Sequence, residues 1–303
     1  MREQPLIRYR SGDEDNARWA GFPFRAGDIV ISTRSKSGTT WVQMICALLV
    51  FQTSELPQPL GELSPWFDWL GMPKDELFAR LDAQTHRRFM KTHTPLDGVP
   101  LDPRATYIVT GREPLDMAVS LYHQGDNLDR ARVRQLTGQS EPEQPVTRPT
   151  LLEWLRGWIG WDADPREFLD SLPGVMLHLS DAWARRDEPN IVLVHYDDLV
   201  RDLEGEMRRI AQRLGIEAPE ARWPELVGAA RFDEMRARAD RLAPDAAGIL
   251  KDRARFFRRG SSGAGRELLT TAELDRYDER VAAMAAPDLL RWLHRNPPNE
   301  HLS

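Results

Sequence analysis

The chain predicts an α/β protein with a central, mainly parallel sheet flanked by helices. Three observations carry this. Short strand-like runs at residues 29–32, 88–91, 106–110 and 191–194 alternate with helical stretches, the pattern of strands joined by helical crossovers. A polar or Gly/Pro-bearing turn follows each run, and a helix begins after the first, third and fourth. The residues fit for chemistry crowd beyond three of these runs, where open α/β sheets bind ligands.

The first run lies in Asp28-Ile-Val-Ile-Ser-Thr-Arg-Ser-Lys-Ser-Gly-Thr-Thr-Trp41. It reads as a buried strand, a Lys-Ser-Gly-Thr-Thr loop, and an apolar helix to about Phe51. Ser, Gly and Thr at the break leave backbone N–H groups and hydroxyls at a helix N-terminus, an anion cradle to which Lys36 adds a full charge. Lys36 precedes Gly38, whereas a Walker A loop places its Lys directly after the last Gly. The loop expects a phosphate, but not in the manner of an NTPase.

The second run leads into Thr92-His93-Thr94-Pro95, and in an extended segment Lys91 and His93 point to the same side. An amine and an imidazole there suit transfer of an anionic group, one neutralising charge and the other taking a proton. The plain alternative is a surface lysine and a loop histidine. The third run leads into Gly111-Arg-Glu-Pro-Leu-Asp-Met-Ala-Val-Ser120, with Pro114 in a first helical turn. Ser120 lies about two turns beyond Arg112 on roughly the same side, so the pair can grip a phosphate; the alternative is a buried serine and a structural ion pair. Residues 125–149 are polar, without clear period, and read as a long loop or mobile cover. After the fourth run, His195 is a weaker candidate base with nothing cationic near it in sequence. The basic run 251–259 ends in Arg258, Arg259 and Gly260, where adjacent guanidiniums against a Gly-rich loop make a second anion seat. Trp41, Tyr196 and Phe232 are candidate walls for a purine.

Composition bounds these readings. Of 303 residues, 41% are apolar and 29% charged, ordinary for a soluble globular protein with a full core. The net charge of −6 argues against a general nucleic-acid binder. The single cysteine, Cys46, falls in an apolar run and reads as core. The first residues lack an apolar targeting core, and no stretch of about 18 apolar residues occurs. The expectation is a cytoplasmic protein without a membrane span.

Together these segments resemble the cytosolic-type sulfotransferases, which move a sulfuryl group from 3′-phosphoadenosine-5′-phosphosulfate (PAPS) to a hydroxyl or amine. Lys36-Ser-Gly-Thr-Thr-Trp41 is similar to the family's loop for the 5′-phosphosulfate, and Lys91-Thr-His-Thr-Pro95 to its Lys-x-His segment. Gly111 to Ser120 resembles its 3′-phosphate segment, and Phe257-Arg-Arg-Gly260 its late Arg-Lys-Gly loop. Ser64-Pro-Trp66, Trp183 and Tyr196-Asp-Asp-Leu199 also fall at the family's spacing. The likeness spans roughly residues 25–285, with four motifs in the family's order.

The resemblance implies a single domain over 1–303 with a P-loop-like fold, PAPS as donor, PAP (3′-phosphoadenosine-5′-phosphate) as product, and no metal. It implies His93 as general base, Lys36 stabilising the bridging and leaving oxygens, and Lys91 assisting on the sulfuryl group. Lys36, Ser37, Gly38, Thr39 and Thr40 would hold the 5′-phosphosulfate. Arg112, Ser120, Arg258, Arg259 and Gly260 would hold the 3′-phosphate, with Trp41, Tyr196 and Phe232 around adenine. Such transfer asks little covalent chemistry of the protein, so alignment and electrostatics should supply most of the rate.

The chain departs from the family pattern in four places. Arg34-Ser35 replaces the usual Tyr-Pro, predicting a more cationic mouth. Ala230 stands where a Thr commonly contacts adenine. Gly263-Ala-Gly265 stands where Gly-Asp-Trp is frequent, removing a packing aromatic. Residues 266–275 keep only the end charges of the family's short dimer motif, which leaves a homodimer open. Two rivals stand against the reading: a P-loop kinase or NTPase, disfavoured by the Lys36/Gly38 order, and a PAPS-binding protein without turnover, disfavoured by the retained Lys36, Lys91 and His93. The acceptor pocket is expected from residues 64–70, 122–136 and 242–256. Trp66, Phe67, Trp69, Phe256 and Phe257 there suit a small apolar or aromatic alcohol or phenol better than a polyanionic sugar.

Overall fold

The computed structural model describes residues 5–140, 147–245 and 247–295. Among them, four strands form one parallel sheet in the order β2-β1-β3-β4: β1 Ile29–Ser32, β2 Phe89–Thr92, β3 Thr106–Gly111 and β4 Ile191–His195. Each strand falls where the strand-like runs predict it, shifted or extended by a single residue in three cases. Parallel strands covered by helices on both faces should be nearly continuous in apolar residues, and β1 is buried at all four positions.

Alternate residues of each strand feed opposite cores. Ile29, Ile31, Phe89, Ile108, Val192 and Val194 pack with the helix Thr39–Phe51 and with residues 199–257. Val30, Met90, Tyr107, Val109 and Ile191 face the other way, onto Trp19, Phe67 and Leu81. A further apolar cluster joins helices Pro114–Asn127, Leu151–Gly160, Leu172–Ala184, Thr271–Ala282 and Pro287–His294. Cys46 is fully buried, as its apolar setting predicts.

Register decides where the site lies. Ser32 pairs with Thr92 and Val109, and Gly111 pairs with His195. All four carboxyl ends therefore reach one edge of the sheet, and the chain leaves β1 toward β2 on one side and β3 on the other, the switch point at which such sheets bind ligands.

The reading of 125–149 as loop is corrected. Pro114–Asn127 is helical to its end, and a second helix spans Arg130–Thr137. Asp129 caps it by accepting from Arg132 N, and Gly138 closes it in the left-handed region. Those start and stop signals were legible; the arginine-rich composition obscured them. Residues 141–146 lie outside the described residues. No helix among the described residues is long and apolar enough to cross a membrane.

Candidate active site

Each strand end delivers a functional side chain to one cavity of about 270 Å³. After β1 comes Lys36, a non-glycine residue in the left-handed region (φ 64°), a conformation that costs about 1–2 kcal/mol and marks a held geometry. Gly38 (φ 107°) then starts the helix Thr39–Phe51 with no side-chain capping bond, so its first N–H groups remain open to an anion. Lys36 Nζ lies 3.9 Å from the centre of the Phe256 ring and 3.4 Å from Gln124 Oε1. Burial, then the charges of Arg112, Arg258 and Lys91, lowers its pKa to about 7.

After β2 comes His93, held from three sides. Its N–H donates to Asp68 Oδ2 (2.8 Å), its carbonyl accepts from Arg34 Nη1, and its ring Nδ1 meets the carbonyl of Thr33. A carbonyl only accepts, so the neutral ring carries its proton on Nδ1 and keeps the Nε2 lone pair free. Burial, then the Lys91 and Arg34 charges, holds His93 well below its ordinary pKa, so it is neutral at pH 7. The ring sits edge-on to Trp66 at 4.9 Å, and Lys91 Nζ lies 4.5 Å over the same indole. Burial lowers Lys91 to about 8, with Glu14 and Asp68 opposing.

After β3, Arg112 ties two loops together: Nη1 donates to Lys36 O (3.0 Å) and Nη2 to Ser261 O (3.1 Å), above the Tyr196 ring at 4.0 Å. Its Nε and that of Arg258 are buried without a partner. Such orphaned guanidinium donors fit an anion between them. After β4, Tyr196 meets Trp41 edge-on at 5.4 Å, and Trp41 Nε1 donates to Ala230 O (2.9 Å). Ala230 thus serves the aromatic wall through its backbone. Gly260 (φ 67°) stands so close to Phe232 that a Cβ would approach the ring to 2.5 Å.

Of the predicted residues, Lys36, Gly38, Thr39, Thr40, Trp41, Lys91, His93, Arg112, Ser120, Tyr196, Phe232, Arg258, Arg259 and Gly260 line this cavity. Ser37 stands apart: it is buried, and both its N–H and Oγ donate to Arg34 O, which makes it a turn-former. His195 is also elsewhere. Its Nε2 donates to Leu293 O, its Nδ1 accepts from Asp197 N, and it caps the helix Tyr196–Arg201. Trp183 packs on Trp292 and donates to Asp288, away from the cavity.

Two expectations about the surroundings need correction. Arg34 is not a cationic mouth but 2% exposed, paired with Asp170 at 2.7 Å and 3.9 Å from Glu14. Phe67 does not face the acceptor side, since it stacks on Trp19 at 3.6 Å in the core. The late loop lacks the family's aromatic, and Asp116 ties it down by accepting from Gly263 N (2.7 Å) and Gly265 N (2.8 Å). Asp68, Asp116, Asp170 and Glu14 were missed in the sequence. They sit far along the chain from what they support, and only Asp116 lay inside a recognised motif.

A parallel sheet with an anion loop at its switch point, facing a buried lysine and a neutral histidine, defines a group-transferring α/β enzyme. A family model described as the sulfotransferase domain matches residues 26–289. Glycolipid sulfotransferases from Mycobacterium bovis (strain BCG / Pasteur 1173P2) and Mycobacterium tuberculosis (strain ATCC 25618 / H37Rv) are 42% identical, each match covering 96% of this chain and 96% of theirs. Retinol dehydratase in complex with retinol and PAP aligns at a TM-score of 0.68 with 20% identity, over 97% of this chain and 93% of that one. A mouse sulfotransferase complexed with PAP gives 0.68 at 21%, over 93% and 94%; at these identities the likeness is one of fold. The chain belongs to the sulfotransferase family, and it is an enzyme of the sulfuryl-transferring class.

Proposed function

We propose that this protein transfers a sulfuryl group from PAPS to a hydroxyl of an amphiphilic acceptor, with His93 as general base. The observation that carries the proposal is the convergence of a neutral, oriented imidazole and the buried amines of Lys36 and Lys91 on one cavity beside an uncapped helix start. When bound, PAPS supplies an activated sulfuryl group on a phosphate leaving group. His93 Nε2 takes the acceptor's proton as the acceptor oxygen bonds to sulfur, and the electron pair of the breaking S–O bond leaves with the phosphate. Lys36 and the N–H groups at the start of Thr39–Phe51 neutralise charge on the departing phosphate, and Lys91 does so on the sulfuryl oxygens. The open Nε donors of Arg112 and Arg258 support a 3′-phosphate seat shared with Ser120, Arg259 and Gly260. Trp41, Tyr196 and Phe232 serve as adenine walls. No metal enters the proposal, because Lys36, Lys91, Arg112 and Arg258 supply the positive charge.

The acceptor's apolar body fits the side formed by Leu128, Val133, Ile249, Leu250, Phe256 and Phe257. The name of the two mycobacterial relatives agrees with a lipid portion in the acceptor. Calorimetric titration with PAP in the absence of metal, against ADP and magnesium ATP, tests the donor reading. Micromolar binding of PAP with little binding of ADP is expected; preference for magnesium ATP would restore the kinase. Replacing His93 with Ala should lower kcat about 10²- to 10⁴-fold and leave PAP affinity within about twofold.

A further inference from the structure

The acceptor side of the cavity holds a group that the reaction described above does not use. Glu14 lines the cavity and is 7% exposed. Its Oε2 is buried with no hydrogen-bond partner, the nearest cation being Arg34 Nη1 at 3.9 Å. A partnerless buried carboxyl oxygen is costly, and a ligand that supplies the missing hydrogen bond removes the cost. Glu14 reaches this place through an antiparallel bridge to Trp69. Trp69 in turn lies parallel to Trp66, with ring centres 6.1 Å apart and planes within 9°. The Trp66 Nε1 is likewise buried and unpartnered, and the Trp66 ring abuts His93. Asp13 and Asp170 line the same end.

We infer that Glu14 is an acceptor-binding residue which, with the Trp66–Trp69 wall, holds a neutral hexose so that one sugar hydroxyl lies beside His93. The inference rests on the sulfotransferase reading. The C–H face of a pyranose stacks on flat indoles, while its hydroxyls satisfy buried carboxyl and indole N–H groups. Asp13 and Asp170 at the cavity's lining disfavour acidic or sulfated sugars by repulsion. Burial, with Asp170, Asp68 and Asp13 adding to it against Arg34, pushes the Glu14 pKa up to about 8. At pH 7 the group therefore donates as well as accepts. The apolar remainder of the acceptor extends toward Leu250 and Phe256.

Octyl β-D-glucopyranoside and 1-octanol share a tail and differ by the hexose, so the ratio of their kcat/KM values isolates sugar recognition. The ratio should exceed about tenfold in the wild type, and Glu14→Leu should lower it about tenfold through a higher KM for the glucoside. Glu14→Gln, which keeps a donor and an acceptor, should retain the ratio within about threefold, and PAP affinity should stay within about twofold in both variants. A wild-type ratio near one, or equal ratios in the wild type and Glu14→Leu, would overturn the inference while normal PAP binding leaves the donor reading standing. Should Glu14→Leu not fold, Trp69→Leu reads the same ratio, and an unchanged ratio there overturns the inference too. Absence of PAP binding in the wild type would sink both readings.

Discussion

Binding of PAPS should weaken as pH rises from 7 to 8, because the cavity keeps two amines below their ordinary range. Lys36 is lowered to about 7 by burial and the neighbouring charges of Arg112, Arg258 and Lys91. Lys91 is lowered to about 8, again mainly by burial. An anionic ligand selects the ammonium forms, so an amine that is neutral in the free protein takes up a proton on binding. Affinity is therefore full below these pKa values and lost as pH climbs through them. From pH 7 to 8 the charged share of Lys36 falls from about one half to about one in eleven, and that of Lys91 from about ten in eleven to about one half. The combined effect is about tenfold in Kd, or about 1.4 kcal/mol, of which Lys36 carries about fivefold and Lys91 about twofold. The arginines stay charged throughout, and His93 is already neutral. Calorimetry at both pH values, in buffers of different ionisation enthalpy, reads the affinity and the proton uptake together. Lys36→Met should reduce the pH effect to about twofold. A wild-type Kd constant across this range, with no proton taken up, would refute the reasoning.

Three further outcomes are expected. Asp116→Ala removes two carboxylate hydrogen bonds to the loop behind Gly260, each worth about 1.5–3 kcal/mol. PAP should bind at least about tenfold more weakly, with faster tryptic cleavage after Arg258 and Arg259; unchanged affinity would remove Asp116 from the site. Arg34→Leu strips a buried cation from Asp170 and the His93 carbonyl, and should cost about 3 kcal/mol in urea unfolding. A loss within 0.5 kcal/mol, the scale of ordinary surface changes, would make the pair incidental. The base form of His93 should persist well below its ordinary pKa, so kcat/KM for the acceptor at saturating PAPS should stay flat from pH 7 to 6 and fall only in more acid solution. An acid limb centred near 6.5 would place the base elsewhere.

The sheet and the cradle were legible for a local reason. Each strand is a short run with an apolar centre that ends at a polar or Gly/Pro-bearing turn, so the runs marked the four strands within a residue. The loop read as an anion cradle, Lys36 to Thr40, is a contiguous piece of chain, so its turn into an uncapped helix start has a local signature. Lys91 and His93 were legible as a pair because they are two residues apart. By contrast, the sequence implied a cationic Arg34 where the fold buries and neutralises it. Its partners Asp170 and Glu14 are remote in the chain, and pairing across such distance has no local signature.

What the sequence by itself determined is therefore the order of elements and the class of reaction, since each depends on residues close together in the chain. Only the tertiary structure decided which charges are free. It turned Ser37 inward, moved His195 to a helix cap, set Asp68 beneath His93 and Asp116 beneath the late loop, and carried Glu14 from the N-terminal segment to the cavity. The physical reason is that burial and pairing, which set protonation and direction, are properties of neighbours brought together by packing, and packing is not local.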